Sequence, residues 1–212
     1  MKSTNLVIAL TKGRILKETL PLLAAANIEP VEDITQSRKL LFDTNLDNIK
    51  LMVVRGSDVP TYVEFGSADM GVAGKDLILE HGSDGFYEPL DLRIAKCRLM
   101  TAEPMVPSST SDTLKVATKF TNIAKKYFAE QGQQVELIKL NGALELAPSL
   151  GLADLIVDIV ETGQTLTANR MEPRDLIANV SSRVIVNKAS MKIKNVIIRD
   201  ILRKLNAAVN KS

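Results

Sequence analysis

The chain has 212 residues, 45% of them hydrophobic and 25% charged, with a formal net charge of +2. That balance suits one large domain or two small ones with a real core, and it excludes a disordered chain or a nucleic-acid binder working by bulk positive charge. One cysteine, Cys97, excludes an intrachain disulfide, and one histidine, His81, leaves little material for a His/Cys zinc site or a Ser-His-Asp triad. Leu6–Leu10 is too short for a signal-peptide core and no window reaches the length of a membrane span, so a cytoplasmic protein is expected.

In chain order, Leu6–Leu10 reads as a buried strand and Thr11–Arg14 as a polar turn. Ile15–Ala26 carries helical spacing, with Pro21 expected to kink or restart the helix. Leu40–Asn45 and Ile49–Arg55 read as a hairpin around Asp47-Asn48. Val59–Phe65 is a short helix capped by Asp58, with Pro60 early, where proline is tolerated. Met70–Gly74 is a buried strand and Lys75–Glu80 a short helix.

Tyr87–Ala102 is extended, and Pro104, Pro107 and Ser108–Ser111 form a loop. A second βαβ series follows. Leu114–Thr118 is a strand, Asn122–Gln131 a helix capped by Thr121, Val135–Leu140 a strand, Ala143–Leu150 a helix and Leu155–Val160 a strand. Ile177–Asn187 is extended, and Ser190–Val209 is one long helix with Ile193, Ile197, Ile201, Leu205 and Ala208 on its apolar face. Strands alternating with helices predict mainly parallel sheets, and two such series joined by extended segments predict two lobes with a cleft between them.

The most informative stretch runs from Asp154 to Leu166. A β-branched apolar strand ends at Val160, and Thr162-Gly163-Gln164-Thr165 follows before the helical pattern resumes. Gly163 lets the backbone turn without a Cβ, so successive N–H groups can converge, and two threonine hydroxyls flank it. This is a cradle for a phosphate monoester, or a plain capping turn. Asp154, Asp158 and Glu161 lie close in sequence, where sugar hydroxyls or a divalent cation can meet them. The pattern resembles the phosphoribosyl pyrophosphate (PRPP) signature of phosphoribosyltransferases, with two departures: Val157 stands in place of the first acid, and Gln164 replaces a glycine.

Four further segments join it: Leu10–Ile15, Arg55–Pro60, Gly71–Asp76 and the run Glu145–Asp154. In this order the chain resembles the ATP phosphoribosyltransferases of histidine biosynthesis, over essentially its whole length, and within them the short form without a C-terminal allosteric domain. The resemblance implies an α/β fold of two lobes like type II periplasmic binding proteins, with residues 1–91 and 175–212 in lobe one and 92–174 in lobe two. It also implies the reaction, attack of adenine N1 of ATP on C1 of PRPP with loss of magnesium-bound pyrophosphate. Mg2+ is the expected cofactor, and a regulatory subunit resembling histidyl-tRNA synthetase is the expected partner, in a hetero-octamer. A cytosolic two-lobed phosphate-ligand sensor without catalysis is the alternative.

Within that picture Thr162, Gly163, Gln164 and Thr165 are expected to hold the 5-phosphate of PRPP. Asp154 and Asp158 are candidates for the ribose hydroxyls or magnesium, with Asp158 the one metal candidate, and Glu161 either joins them or faces solvent. Arg14 and Arg38 are expected at the pyrophosphate and triphosphate, as catalytic contacts. Lys12, Gly13, Arg14, Lys39, Arg55 and Gly74 are the candidates for ATP. Adenine N1 carries no proton at neutral pH, so no general base is required.

Overall fold

The computed structural model describes residues 5–82, 84–106 and 113–211. The chain divides into two compact units, one running to Ala95 and resuming at Ser181, the other Lys96–Val180. The expected serine-rich loop at Pro107 and Ser108–Ser111 lies outside the described residues.

The first unit is built on a six-stranded sheet. Its strands are β1 (Leu6–Thr11), β2 (Leu41–Asp43), β3 (Ile49–Val54), β4 (Met70–Gly74), β5 (Phe86–Asp91) and, much later in the chain, β11 (Ser182–Asn187). Their order is β2-β3-β1-β4-β11-β5. β1, β3 and β4 run parallel, while β2, β11 and β5 are antiparallel to their neighbours.

β1 shows why the sheet is covered on both faces. Leu6, Ile8 and Leu10 pack with α1 (Arg14–Ala25) and α8 (Asn195–Val209), through Leu16, Leu23, Ile198, Ile201 and Leu205. Ala9, one residue out of phase, packs with Val59 and Val63 of α2 (Val59–Glu64) and Ile78 of α3 (Lys75–His81). The alternation of side chains along a strand therefore feeds two cores from one apolar run.

Several local expectations give way here. α1 runs through Pro21 as one helix. Asp58 does not cap α2: it has right-handed helical dihedrals, makes no side-chain cap bond, and instead accepts from the Ser57 hydroxyl at 2.9 Å. The long C-terminal helix is two helices, α7 (Lys188–Ile193) and α8, broken at Lys194. The Lys194 ammonium turns to the buried Asp69 carboxylate at 2.8 Å and the Asn5 carbonyl at 2.5 Å, a pull that a continuous helix would not satisfy. Ile193 consequently leaves the apolar face and stands 76% exposed.

The second unit holds β6 (Cys97–Pro104), β7 (Leu114–Thr118), β8 (Val135–Lys139), β9 (Leu155–Val160) and β10 (Met171–Val180), in the order β10-β6-β9-β7-β8. β7, β8 and β9 are parallel, and β6 and β10 are antiparallel to their neighbours. The extended stretch expected at Tyr87–Ala102 is thus two strands, β5 and β6, divided between the units, and Ile177–Asn187 likewise splits into β10 and β11.

The helices of this unit are α4 (Thr121–Glu130), α5 (Leu146–Ser149) and α6 (Gln164–Ala168). Thr121 is the first helical residue of α4 and not its cap. The helix expected from Ala143 shrinks to one turn because Ala143 has φ +50° and Pro148 lies inside the segment. Met100, Ala102, Ala117, Ile156 and Val160 form one apolar face with Leu144, Ala147 and Leu166 packed on it.

Candidate active site

In a parallel sheet the loops after the strand carboxyl ends gather at one edge, which is where ligands bind in open α/β sheets. In the second unit that edge carries the loops after Thr118, Lys139 and Val160. The last of these is the candidate phosphate loop. Gly163 is the residue before α6, with φ +81° and ψ −2°, a left-handed conformation that favours glycine. A Cβ placed on it would meet nothing within 4 Å, so backbone conformation and not crowding demands the glycine.

Glu161, Thr162, Gln164 and Thr165 are exposed, and Leu166 anchors the loop in the core. The Thr162 hydroxyl accepts from the Gln164 N–H at a long 3.4 Å. α6 has five residues, so its dipole adds little. What the loop offers an anion is its amides and two threonine hydroxyls.

The three acids separate. Asp158 projects from β9 on the face of Ile156 and Val160, near the loop. It is largely buried, and its Oδ1 has no hydrogen-bond partner. The Lys119 ammonium stands 3.5 Å from that oxygen, an ion pair too long to be a good hydrogen bond. Burial pushes the Asp158 carboxyl above the usual carboxylate range, Lys119 and the Ile159 N–H oppose the rise, and Glu145 adds to it.

Asp154 lies at the opposite end of the same strand. Six residues of strand, about 20 Å, stand between it and Thr162. Its carboxylate accepts from the Lys115 N–H at 2.8 Å while its own N–H donates to the Lys115 carbonyl, also at 2.8 Å. Asp154 therefore aligns β9 with β7 and does not share a site with the loop. Glu161 is exposed beside the loop.

The edge also contains residues not singled out from sequence. Thr118 pairs with Val157 across β7 and β9, which brings Lys119, one residue on, level with Asp158. Glu145 precedes α5. Arg98 is exposed and pairs with Val160, so β6 brings a cation to the same edge. The strand-end rule applied to β7 would have found Lys119. Arg98, at the start of an antiparallel strand, gives no such signal.

The first unit repeats the principle. Thr11 pairs with Val54 and Leu10 with Val72, so Lys12-Gly13-Arg14, Arg55 and Gly74 come to one sheet edge. β2 runs the other way, Leu41 opposite Met52, and so delivers Arg38 and Lys39 to that edge from the preceding loop. Lys12, Gly13, Arg38 and Lys39, with Thr35 and Ser37, line a pocket of about 280 Å³.

Two of the cations there, Arg14 and Lys39, already have carboxylate partners. Arg14 Nε lies 2.5 Å from Glu18, whose other oxygen accepts the Ala95 N–H at 2.7 Å. The Arg14 hydrogen bond, with the Ala95 N–H, holds the Glu18 carboxyl below its ordinary value. Lys39 pairs with Glu32 at 2.7 Å, which raises its pKa. Gly74 is a poorer ligand candidate, because the Asp76 carboxylate folds back until its Oδ1 lies 2.3 Å from where a Cβ would be.

The sequence matches the family described as HisG: ATP phosphoribosyltransferase over residues 55–207. The chain belongs to the ATP phosphoribosyltransferase family. It is 65% identical over 207 residues to the ATP phosphoribosyltransferase of Saccharophagus degradans, covering 98% of this chain and 97% of that one. The corresponding protein of Teredinibacter turnerae is 60% identical over the same length. Among solved structures, a chain of the ATP phosphoribosyl transferase (HisG:HisZ) complex from Thermotoga maritima is 32% identical with a TM-score of 0.86, covering 98% of this chain and 100% of that one. The fold is accordingly the α/β type II periplasmic-binding-protein-like fold of that family.

Proposed function

We propose that this member of the ATP phosphoribosyltransferase family holds PRPP on its second unit, with the 5-phosphate in the Thr162–Thr165 loop and the ribose beside Asp158. The reaction is ATP + PRPP to N1-(5-phosphoribosyl)-ATP + pyrophosphate, the first step of L-histidine biosynthesis. The observation that carries the assignment is the left-handed Gly163 between two exposed threonines, at the carboxyl end of a strand whose one internal acid has a buried, unbonded oxygen.

Bond breaking leaves positive charge on the ribose and adds negative charge to the pyrophosphate, so fixed charges matter more here than proton transfer. Asp158 supplies negative charge to the sugar. On the first unit, Lys12, Arg14, Arg38 and Lys39 supply positive charge to polyphosphate, which must displace Glu18 and Glu32 from Arg14 and Lys39. Arg55, exposed at the same edge, joins the ATP contacts.

Magnesium fits as part of the substrate and not as a resident ion. Among the described residues no group of three or more His, Cys, Asp or Glu side chains is placed to hold a metal ion, and Lys119 already stands beside Asp158. Mg2+ thus arrives on the pyrophosphate of PRPP, and Asp158 is left to the sugar. The units play the parts of the two lobes, the second carrying PRPP.

A regulatory subunit resembling histidyl-tRNA synthetase, in a hetero-octamer, is the proposed partner. The support is the HisG:HisZ assembly named for the Thermotoga structure. The cytoplasm is the proposed compartment, and no helix of the described residues is long and apolar enough to cross a membrane. Titration calorimetry of Thr162→Ala tests the PRPP assignment: PRPP binding weakens about tenfold, as loss of a hydrogen bond to a charged group implies, with ATP binding unchanged. Unaltered PRPP affinity would exclude the loop.

A further inference from the structure

Lys119 is placed with more care than a surface lysine needs. The Thr118 hydroxyl, fully buried, donates to the Val157 carbonyl of β9 at 2.7 Å and accepts the Phe120 N–H at 2.9 Å. These two bonds tie the turn after β7 to the strand that carries Asp158. Phe120 is buried beneath the turn, and the Lys119 ammonium lies over its ring, 4.7 Å from the centroid. The lysine is therefore held from below by the ring and from behind by the turn, with its charge 3.5 Å from the unbonded Oδ1 of Asp158.

We propose that Lys119 is a positioning residue for the PRPP ribose, acting through Asp158 by facing its buried Oδ1 and keeping the carboxylate ionised, so that the part of the side chain that remains exposed accepts a sugar hydroxyl. The proposal rests on the PRPP reading given above. Among the described residues, two charged side chains act on Asp158 in opposite senses, Lys119 from the turn after β7 and Glu145 from the segment before α5, while β6 places Met100 opposite it, with the exposed Arg98 two residues along that strand. An ionised carboxylate only accepts hydrogen bonds and so takes the hydroxyl proton well, whereas a protonated one competes as a donor. Without the ammonium, burial and Glu145 act on Asp158 with only the Ile159 N–H against them.

The experiment is the pH dependence of kcat/KM for PRPP in the full chain with its regulatory subunit, for Lys119→Met, Lys119→Gln and Lys119→Arg. Removing an adjacent opposite charge moves a carboxylate by about one unit or more, so the acidic limb of the Met and Gln variants shifts upward by about that amount. At a pH within the shifted limb their KM for PRPP rises about tenfold, in step with the lost ionised fraction, and KM for ATP stays within about twofold. Lys119→Arg keeps the charge and the ring contact, and it restores the native limb.

An unshifted acidic limb in a folded Met or Gln variant overturns the proposal, as does an equal rise in both KM values. If Met and Gln both fail to fold, an Arg variant that folds but shows the shifted limb overturns it, and one with the native limb supports it. The Thr162→Ala variant separates the two levels of argument. If it weakens PRPP binding while the Lys119 variants leave the limb in place, only the role of Lys119 falls. If it leaves PRPP binding intact, the phosphate loop itself falls.

Discussion

Replacing Gly163 by alanine isolates what the phosphate loop contributes. The native φ of +81° is left-handed, and an L-residue there costs about 1–2 kcal/mol. Nothing lies within 4 Å of the added methyl, so no steric term is added and the backbone penalty is the whole effect. Where that penalty appears depends on how firmly the loop is held. Its neighbours Glu161, Thr162, Gln164 and Thr165 are exposed, and only Leu166 is buried.

The loop can therefore leave the left-handed conformation for less than the penalty, and the unbound variant keeps most of its stability. PRPP must then restore the strained conformation on binding. Its affinity falls by roughly 5- to 30-fold, the factor that 1–2 kcal/mol represents. Calorimetric titration with PRPP, with ATP as the control and a thermal melt of each protein, reads the three quantities separately. If the loop instead stays rigid, the melting temperature drops by about 2–4 °C per kcal/mol and affinity is spared. A variant with native melting temperature and native PRPP affinity would refute the reasoning, because the strain would then have gone nowhere. Asparagine at the same position tolerates the left-handed region and should recover part of whichever loss is observed.

Three further outcomes are expected. Asp158→Asn should weaken PRPP binding yet stabilise the folded chain, because a raised carboxyl pKa means the folded state holds its proton longer and loses stability as pH climbs through the folded pKa. The variant's advantage in thermal melts should be absent at low pH and present at neutral pH, where the native carboxylate is ionised against its burial; a neutral-pH melt below native contradicts this. Asp154→Ala should behave oppositely, losing about 1–2 kcal/mol of stability with the Lys115 hydrogen bond while PRPP affinity is kept, and a selective loss of PRPP binding would return Asp154 to the site. Arg14→Ala should lower the single-turnover rate by more than it weakens substrate binding, about 100-fold if it stabilises the leaving group, and an unchanged rate would remove it from the catalytic set.

Periodicity alone located most strands closely. Leu155–Val160 matches its expected bounds, and Leu6, Met70, Leu114 and Val135 begin strands where expected. The errors fall where a tertiary contact overrides a local pattern. Lys194 breaks an otherwise continuous helical repeat to reach Asp69, and Asp58 gives up a capping role that its position suggests. Glycine-flanked polar turns pointed to the candidate site because strand ends and left-handed backbone leave marks in composition. Asp154 stands apart from the loop because sequence proximity to Thr162 ignores the strand length between them. Lys119 stands at a strand end that the same rule covers, whereas Arg98 left no mark, since only the register of β6 against β9 brings it beside Val160.

Catalysis is read directly by incubating the chain with ATP, PRPP and Mg2+, with and without the synthetase-like subunit, and following products by mass spectrometry. N1-(5-phosphoribosyl)-ATP and pyrophosphate should form in equal amounts, depend on both substrates, and be suppressed by Thr162→Ala through PRPP alone. Absence of both products in either setting would contradict the account.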